Sequence, residues 1–360
     1  LTDLLDKAER PFVILGGSGW TQEAVNQMCG AVERWSLPVG CSFRRQALCD
    51  QLHPNYAGDI GLGINPKLSA YIKNADLVLL VGGRFGETPS ADYTLLKSPY
   101  PDQKLVHIYP DPEELGRVYR PDVAINASPV AFAEAFTQTA PKKTPIWANR
   151  TEELHQNYLE WSTPPTTGPG NVLMGPIMEH LESVLPKDAI ICNGAGNFAT
   201  WMHRFHRYRG FNTQAAPTSG SMGYGLPAGV AAKHIHPDRE VIVWAGDGDF
   251  MMHGQEFATA VQYDLPIIVV ILNNGIYGTI RMHQERDYPG RVSGTTLKNP
   301  DFAALARAYG GHGETVAQTQ EFGPAFERAR KSGKPAIIEI QLDPEAITPT
   351  RTLSDIREGR

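Results

Sequence analysis

The 360-residue chain is 41% hydrophobic and 20% charged, the make-up of a soluble globular protein long enough for two domains of ordinary size. A formal net charge of −6 gives no electrostatic reason to expect nucleic acid or an anionic membrane as partner, and no apolar run reaches transmembrane length. Cys29, Cys41, Cys49 and Cys192 are scattered without a C-x-x-C pair, so they are expected as free thiols in a reducing, cytoplasmic setting.

The chain begins at Leu1 rather than Met and enters a helical pattern at once, without a signal peptide, and is expected to be a processed or truncated product. Pro11 to Leu15 reads as a short buried strand, followed by Gly16-Gly17-Ser18-Gly19 and a helix from about Gln22 to Trp35. The glycine run lacks the last glycine of G-x-G-x-x-G, because Gln22 stands there, so it is expected as a strand–helix turn. Leu77 to Val81 and Leu105 to Tyr109 are further buried strands, and residues 1–140 are expected to form a doubly wound domain. Arg84, in Gly82-Gly83-Arg84-Phe85-Gly86-Glu87, stands at a strand end, where it serves either structure or a phosphate, with structure the favoured role. Residues 141–170, punctuated by Pro141, Pro145, Pro164, Pro165 and Pro169, are expected as a linker with one polar helical stretch near Asn149 to Trp161.

A second α/β domain is expected over 171–345. It opens with a helix around Pro176 to Leu185, a strand from Ala189 to Cys192 and the loop Asn193 to Asn197. His203 to Arg209 is basic with interleaved aromatics, but it is short and the chain is acidic, so a solvated or subunit-facing surface is expected. His203 and His206 qualify as acid–base groups only if they reach the reacting atoms. A glycine-rich loop, Gly220 to Gly229, enters an alanine-rich helix. Beyond Gly278 come helices over Phe302 to Tyr309 and Phe322 to Lys331, a strand from Ala336 to Gln341, and a polar tail (346–360) expected to be mobile at its end.

The densest chemistry lies between Glu240 and Gly278. An apolar strand, Val241 to Ala245, ends in Gly246-Asp247-Gly248-Asp249. A helical pattern follows, then a second strand, Ile267 to Leu272, which ends in Asn273-Asn274-Gly275. A right-handed crossover makes the strands parallel and brings both polar tips to one sheet edge, where ligands bind in open α/β sheets. Glycines admit an anion close to the backbone, and the following helix offers unpaired N–H groups. One carboxylate (Asp247) and one amide oxygen (Asn274) suit a magnesium ion that completes its octahedron with phosphate oxygens and water.

GDG, a helix and then NN resemble the diphosphate-binding motif of thiamine-diphosphate enzymes. Thr218-Ser219-Gly220-Ser221-Met222-Gly223-Tyr224-Gly225-Leu226-Pro227-Ala228 is similar to the acetolactate synthase large-subunit group, and Asn193-Gly194-Ala195-Gly196-Asn197 stands where that group carries a third cofactor loop. The resemblance covers essentially the whole chain and is weaker before about residue 170. It implies two doubly wound parallel-sheet domains: a middle Rossmann-like domain and a diphosphate-binding domain. It implies thiamine diphosphate held by Ala195, Gly196, Asn197, Phe198, Gly220, Met222, Gly246, Asp247, Gly248, Asp249, Asn274, Ile276, Tyr277, Gly278 and Thr279. It implies Mg2+ on Asp247, Asn274 and the backbone oxygen of Ile276, with Met222 supporting the bent form of the cofactor. FAD is left open: some members bind it in the middle domain, others have lost it, and the paired aspartates that usually follow the Arg-Phe are missing here.

By the same resemblance the activity is decarboxylation of a pyruvate-like 2-oxo acid, followed by carboligation to a carbonyl acceptor. A non-ligating 2-oxo acid decarboxylase or carbon–carbon lyase is the alternative, and a non-catalytic diphosphate-binding module is the reading of another class. Members that favour a larger second oxo acid carry a tryptophan where this chain has His283, which weighs against branched-chain amino acid synthesis. The glutamate that ionises the cofactor belongs to a pyrimidine-binding domain not found in this sequence, and Glu256 is no substitute. That domain is expected from the same precursor or from another subunit, in a homodimer or homotetramer.

Overall fold

Strands β1 (Pro11–Leu15) and β4 (Leu77–Val81) are buried at every position. A strand that hides both faces needs helices above and below its sheet, as in parallel α/β proteins. The computed structural model, which describes residues 1–360, has that arrangement twice. One compact unit comprises Leu1–Ser162 with Arg207–Phe211, and the other Thr163–His206 with Asn212–Arg360. No helix is long and apolar enough to cross a membrane.

In the first unit β1, β2 (Val39–Ser42), β3 (Tyr56–Ile60), β4, β5 (Lys104–Tyr109) and β6 (Val123–Asn126) form a parallel sheet in the order β3-β2-β1-β4-β5-β6. The helix Gln22–Arg34 begins where the Thr21 side chain accepts from Ala24 N at 3.1 Å, and it buries Ala24, Val25, Met28, Ala31 and Val32 on one face. The strand order reverses between β1 and β4. A side chain at Gly17, which has φ +69°, would overlap the Gly82 carbonyl, and the buried Trp20 donates its indole N–H to Gly16 O at 2.8 Å. The glycine turn therefore serves close packing. Arg84 binds the Tyr109 hydroxyl at 3.0 Å and lies 3.8 Å from Glu114, a structural strand-end arginine.

The stretch 141–170, expected as a linker, carries the helix Ala148–Trp161 inside the first unit. Thr151, Leu154, His155 and Tyr158 recur at helical spacing and are buried. Tyr158 meets Tyr56 of β3 edge-on at 4.8 Å, and His155 Nδ1 bonds Tyr56 O at 2.8 Å. The surrounding prolines masked this face. The basic run divides between the units, and Arg209 is held by Asp50 at 2.9 Å and 3.3 Å as an ion pair. The four cysteines are free thiols, and burial pushes that of Cys192 up to about 12.

In the second unit β7 (Ile190–Asn193), β8 (Gln214–Ala215), β9 (Val241–Gly246), β10 (Ile268–Asn273), β11 (His312–Val316) and β12 (Ala336–Gln341) form a parallel sheet in the order β11-β12-β10-β9-β7-β8. Val243, Phe257, Val269, Phe302 and Ile337 pack in one of its cores. The single helix expected after β9 is a helix (Asp247–His253), a 3-10 turn (Gly254–Glu256) and a second helix (Phe257–Gln262). Gly254 sits against the Phe250 ring, where a Cβ would come within 2.8 Å.

The tail differs most from expectation. Leu353–Arg357 is a helix with a capping box between Thr352 and Asp355. Ile347, Leu353 and Ile356 pack with Ile276, so the tail is a folded wall of the second unit, not a mobile end.

Candidate diphosphate and metal site

In the second sheet the order reverses between β7 and β9, so the chain leaves these strands in opposite directions and opens a crevice at their carboxyl ends. Three loops meet there: residues 194–198 after β7, 247–249 after β9 and 274–279 after β10. One cleft is lined by Ala195, Gly196, Asn197, Phe198, Met222, Gly246, Asp247, Gly248, Asp249, Asn274, Ile276, Tyr277, Gly278 and Thr279. Of the cofactor-binding residues that the resemblance implied, Gly220 alone is outside it, exposed in a turn closed by Gly220 N on Pro217 O at 3.1 Å.

Asp247 is 3% exposed, and its partners are neutral. Oδ1 accepts from Gly248 N at 2.9 Å, and Oδ2 from Gly275 N at 2.9 Å and from Asn299 Nδ2 at 2.7 Å. Burial pushes its carboxyl above the ordinary range, against the pull of these hydrogen bonds. A buried carboxylate served only by neutral donors suits a cation. No group of three His, Cys, Asp or Glu residues is placed to hold a metal, so an ion on Asp247 would draw its remaining oxygens from amide, carbonyl, water or a ligand. Asn274 supplies such an oxygen; its Oδ1 accepts from Ile276 N at 3.2 Å, fixing the turn that brings Ile276 to the cleft.

The helices Asp247–His253 and Gly278–Asp287 both begin at this cleft, so two positive dipole ends meet at it, with Gly248 N already engaged by Asp247 Oδ1. Thr279 Oγ1 accepts from Asn197 N at 2.9 Å and donates to Asn197 Oδ1 at 3.0 Å, joining the first loop to the second helix. Asp249 is buried, and its Oδ1 accepts from Ala195 N at 3.0 Å and Gly223 N at 2.9 Å, tying the loop of Met222 to that of β7.

Several wall residues carried no motif: Trp201, Leu272, Ile280, Leu342, Ala346 and Ile347. Ile347 belongs to the tail, and its carbonyl accepts from Asn197 Nδ2 at 3.2 Å. Other candidates lie elsewhere. His203 Nε2 bonds Asn193 Oδ1 at 3.1 Å, His206 faces Glu182 at 3.4 Å, and Glu256 accepts from the Thr259 hydroxyl at 2.9 Å; none of the three lines the cleft. His283 is exposed and also outside it.

Comparison with known proteins gives this cleft a family. Residues 194–340 match the family model described as "Thiamine pyrophosphate enzyme, C-terminal TPP binding domain", and residues 1–136 match "Thiamine pyrophosphate enzyme, central domain". The chain belongs to the thiamine pyrophosphate enzymes. Among curated members it is 28% identical to the acetolactate synthase isozyme 2 large subunit of Escherichia coli K12, over 94% of this chain and 61% of that protein. It is 30% identical to the acetolactate synthase large subunit of Parasynechococcus marenigrum, over 94% of this chain and 55% of that protein. It is 27% identical to a sulfoacetaldehyde acetyltransferase of Alcaligenes xylosoxydans, over 97% of this chain and 63% of that protein. The chain thus spans about three fifths of the length of these family members.

Proposed function

We propose that this chain supplies the diphosphate and magnesium half of a thiamine-diphosphate site, and that the complete site decarboxylates a pyruvate-like 2-oxo acid and joins the remaining fragment to a carbonyl acceptor, as an acetolactate synthase does. The observation that carries the reading is Asp247, a buried carboxylate with only neutral hydrogen-bond donors, standing beside Asn274 and Ile276 between two helix N-termini. Asp247, Asn274 and the backbone oxygen of Ile276 would hold Mg2+, and the amides that open the two helices would receive the diphosphate. When bound, thiamine diphosphate supplies the carbanion chemistry of decarboxylation and transfer. The protein's part is to bind and bend it: Met222, which lines the same cleft, is a bulky adaptable side chain suited to wedge between its two rings.

The glutamate that would ionise the pyrimidine comes from outside these 360 residues, in the same polypeptide or a second subunit, and the working form is a homodimer or homotetramer. The greater length of the relatives supports a further domain. Incubating the chain, complemented with its pyrimidine-binding domain, with pyruvate and resolving the products by NMR tests the chemistry. Acetolactate supports carboligation, acetaldehyde alone assigns a lyase, and neither product removes pyruvate as donor.

A further inference from the structure

Asn299 lies far from every motif in the sequence, in the segment between the helices Gly278–Asp287 and Phe302–Ala308. That segment returns to the site like a strand. Tyr277 N donates to Thr295 O at 2.9 Å, Leu297 N donates to Gly275 O at 2.8 Å, and Ile276 forms an antiparallel bridge with Thr296. The return places the Asn299 amide behind Asp247. Its two N–H donors reach Asp247 Oδ2 at 2.7 Å and Asn273 Oδ1 at 2.8 Å. Gly275 N spans the same pair of oxygens at 2.9 Å and 3.2 Å. Asn273 is turned away from the cleft: its Nδ2 donates at 2.6 Å to Glu339 Oε1, a buried residue of β12. A continuous polar chain therefore runs from the rigid interior of the sheet through Glu339, Asn273 and Asn299 to Asp247.

We infer that Asn299 is a positioning residue for the metal: it fixes the carboxylate plane of Asp247 so that the remaining lone pairs face the cation, and it acts through Asp247 without touching the ion. The first asparagine of the NN pair is on this view an anchor for Asn299, and only the second faces the ligand. This rests on the magnesium–diphosphate reading of the cleft. An orienting partner of a metal ligand ordinarily changes metal affinity by about ten- to a hundredfold, and Asn299 holds its ligand with a short hydrogen bond that no other side chain duplicates at Oδ2.

The test is a magnesium titration of the 360-residue chain at fixed thiamine diphosphate, followed by calorimetry, for wild type, Asn299→Ala and Asn299→Leu. The leucine variant keeps the branched outline of asparagine without its hydrogen-bonding groups, though it is bulkier, and repeats the test if alanine does not fold. We expect the magnesium concentration at half-saturation to rise at least about tenfold. The metal-free protein should stay folded, with a lowered melting temperature for the lost hydrogen bonds, and cofactor affinity at saturating magnesium should recover. Unchanged half-saturation in both variants, with normal binding by wild type, overturns the inference and leaves the site reading intact. Binding that saturating magnesium does not restore also overturns it, since the residue would then hold up the fold of the cleft rather than the metal ligand. No magnesium-dependent binding by wild type overturns the site reading and this inference with it.

Discussion

Asp249 holds the backbone N–H of Gly223 at 2.9 Å, one residue beyond Met222, and the same oxygen accepts from Ala195 N at 3.0 Å. One carboxylate thus latches two walls of the cleft. A methyl group on Gly194 would overlap this carboxylate, so that glycine is a condition of the latch. Asp249→Ala should free the segment 217–224 and raise its proteolytic cleavage roughly tenfold, as expected for losing about 1.5 kcal/mol of charge-assisted bonding. Asp249→Asn keeps the acceptor and should protect the segment nearly as well as the native residue. Equal cleavage in all three proteins would refute the latch.

Met222 lines the same cleft as Asp247 and Asn274. In the complemented enzyme, Met222→Ala should lower kcat by about a hundredfold, the scale of a misplaced reacting group, with a far smaller change in the Kd of the cofactor. Met222→Leu should restore most of the loss. A variant that loses cofactor binding in proportion to rate would show Met222 to be a general binding contact.

Glu285 is 1% exposed and sits on the helix whose first turn lines the cleft. Arg357 of the tail reaches it at 2.8 Å and 3.0 Å, and Arg281 at 2.8 Å. The Arg357 pairing, helped by Gly290 N–H and Arg281, holds its carboxyl at about 2, below the ordinary 4.5. The folded value is depressed, so the stabilisation is complete above about pH 4.5 and disappears as pH falls towards 2. The protection factors of residues 353–357, observed exchange corrected for its intrinsic pH dependence, should fall through that window. In Glu285→Gln exchange should be fast already at pH 7, with a cost of about 3 kcal/mol for leaving the arginines unpaired. Slow exchange in the variant would mean that Ile347, Leu353 and Ile356 hold the tail by packing alone.

Phe257 is fully buried where the crossover from β9 to β10 enters the core. Phe257→Ala should cost about 3–5 kcal/mol in urea unfolding of the second unit, and a loss under about 1 kcal/mol would mean that the neighbouring Tyr309 collapses into the space.

The central strands were legible because β9 and β10 open on β-branched runs, Val241 to Val243 and Ile268 to Ile271, and the cleft because each strand ends in a short polar motif that marks where the chain turns. Edge strands such as β11, with its half-exposed His312, Gly313 and Glu314, carry no such run. The helix Ala148–Trp161 was legible as a polar helical stretch, but its buried face was not, because the prolines around it suggested a linker. Asn299 and Ile347 escaped for another reason. They reach the site by chain return, through bridges to Ile276 and Asn197, and nothing local in a sequence encodes such a return.

The central claim is that Asp247 makes the cleft a magnesium-dependent diphosphate site. Calorimetric titration of the chain with thiamine diphosphate, with and without magnesium, for wild type and Asp247→Ala, tests it most directly. The account predicts binding that requires magnesium in the wild type and is lost in the variant. Binding that is indifferent to magnesium, or that survives Asp247→Ala, would contradict it.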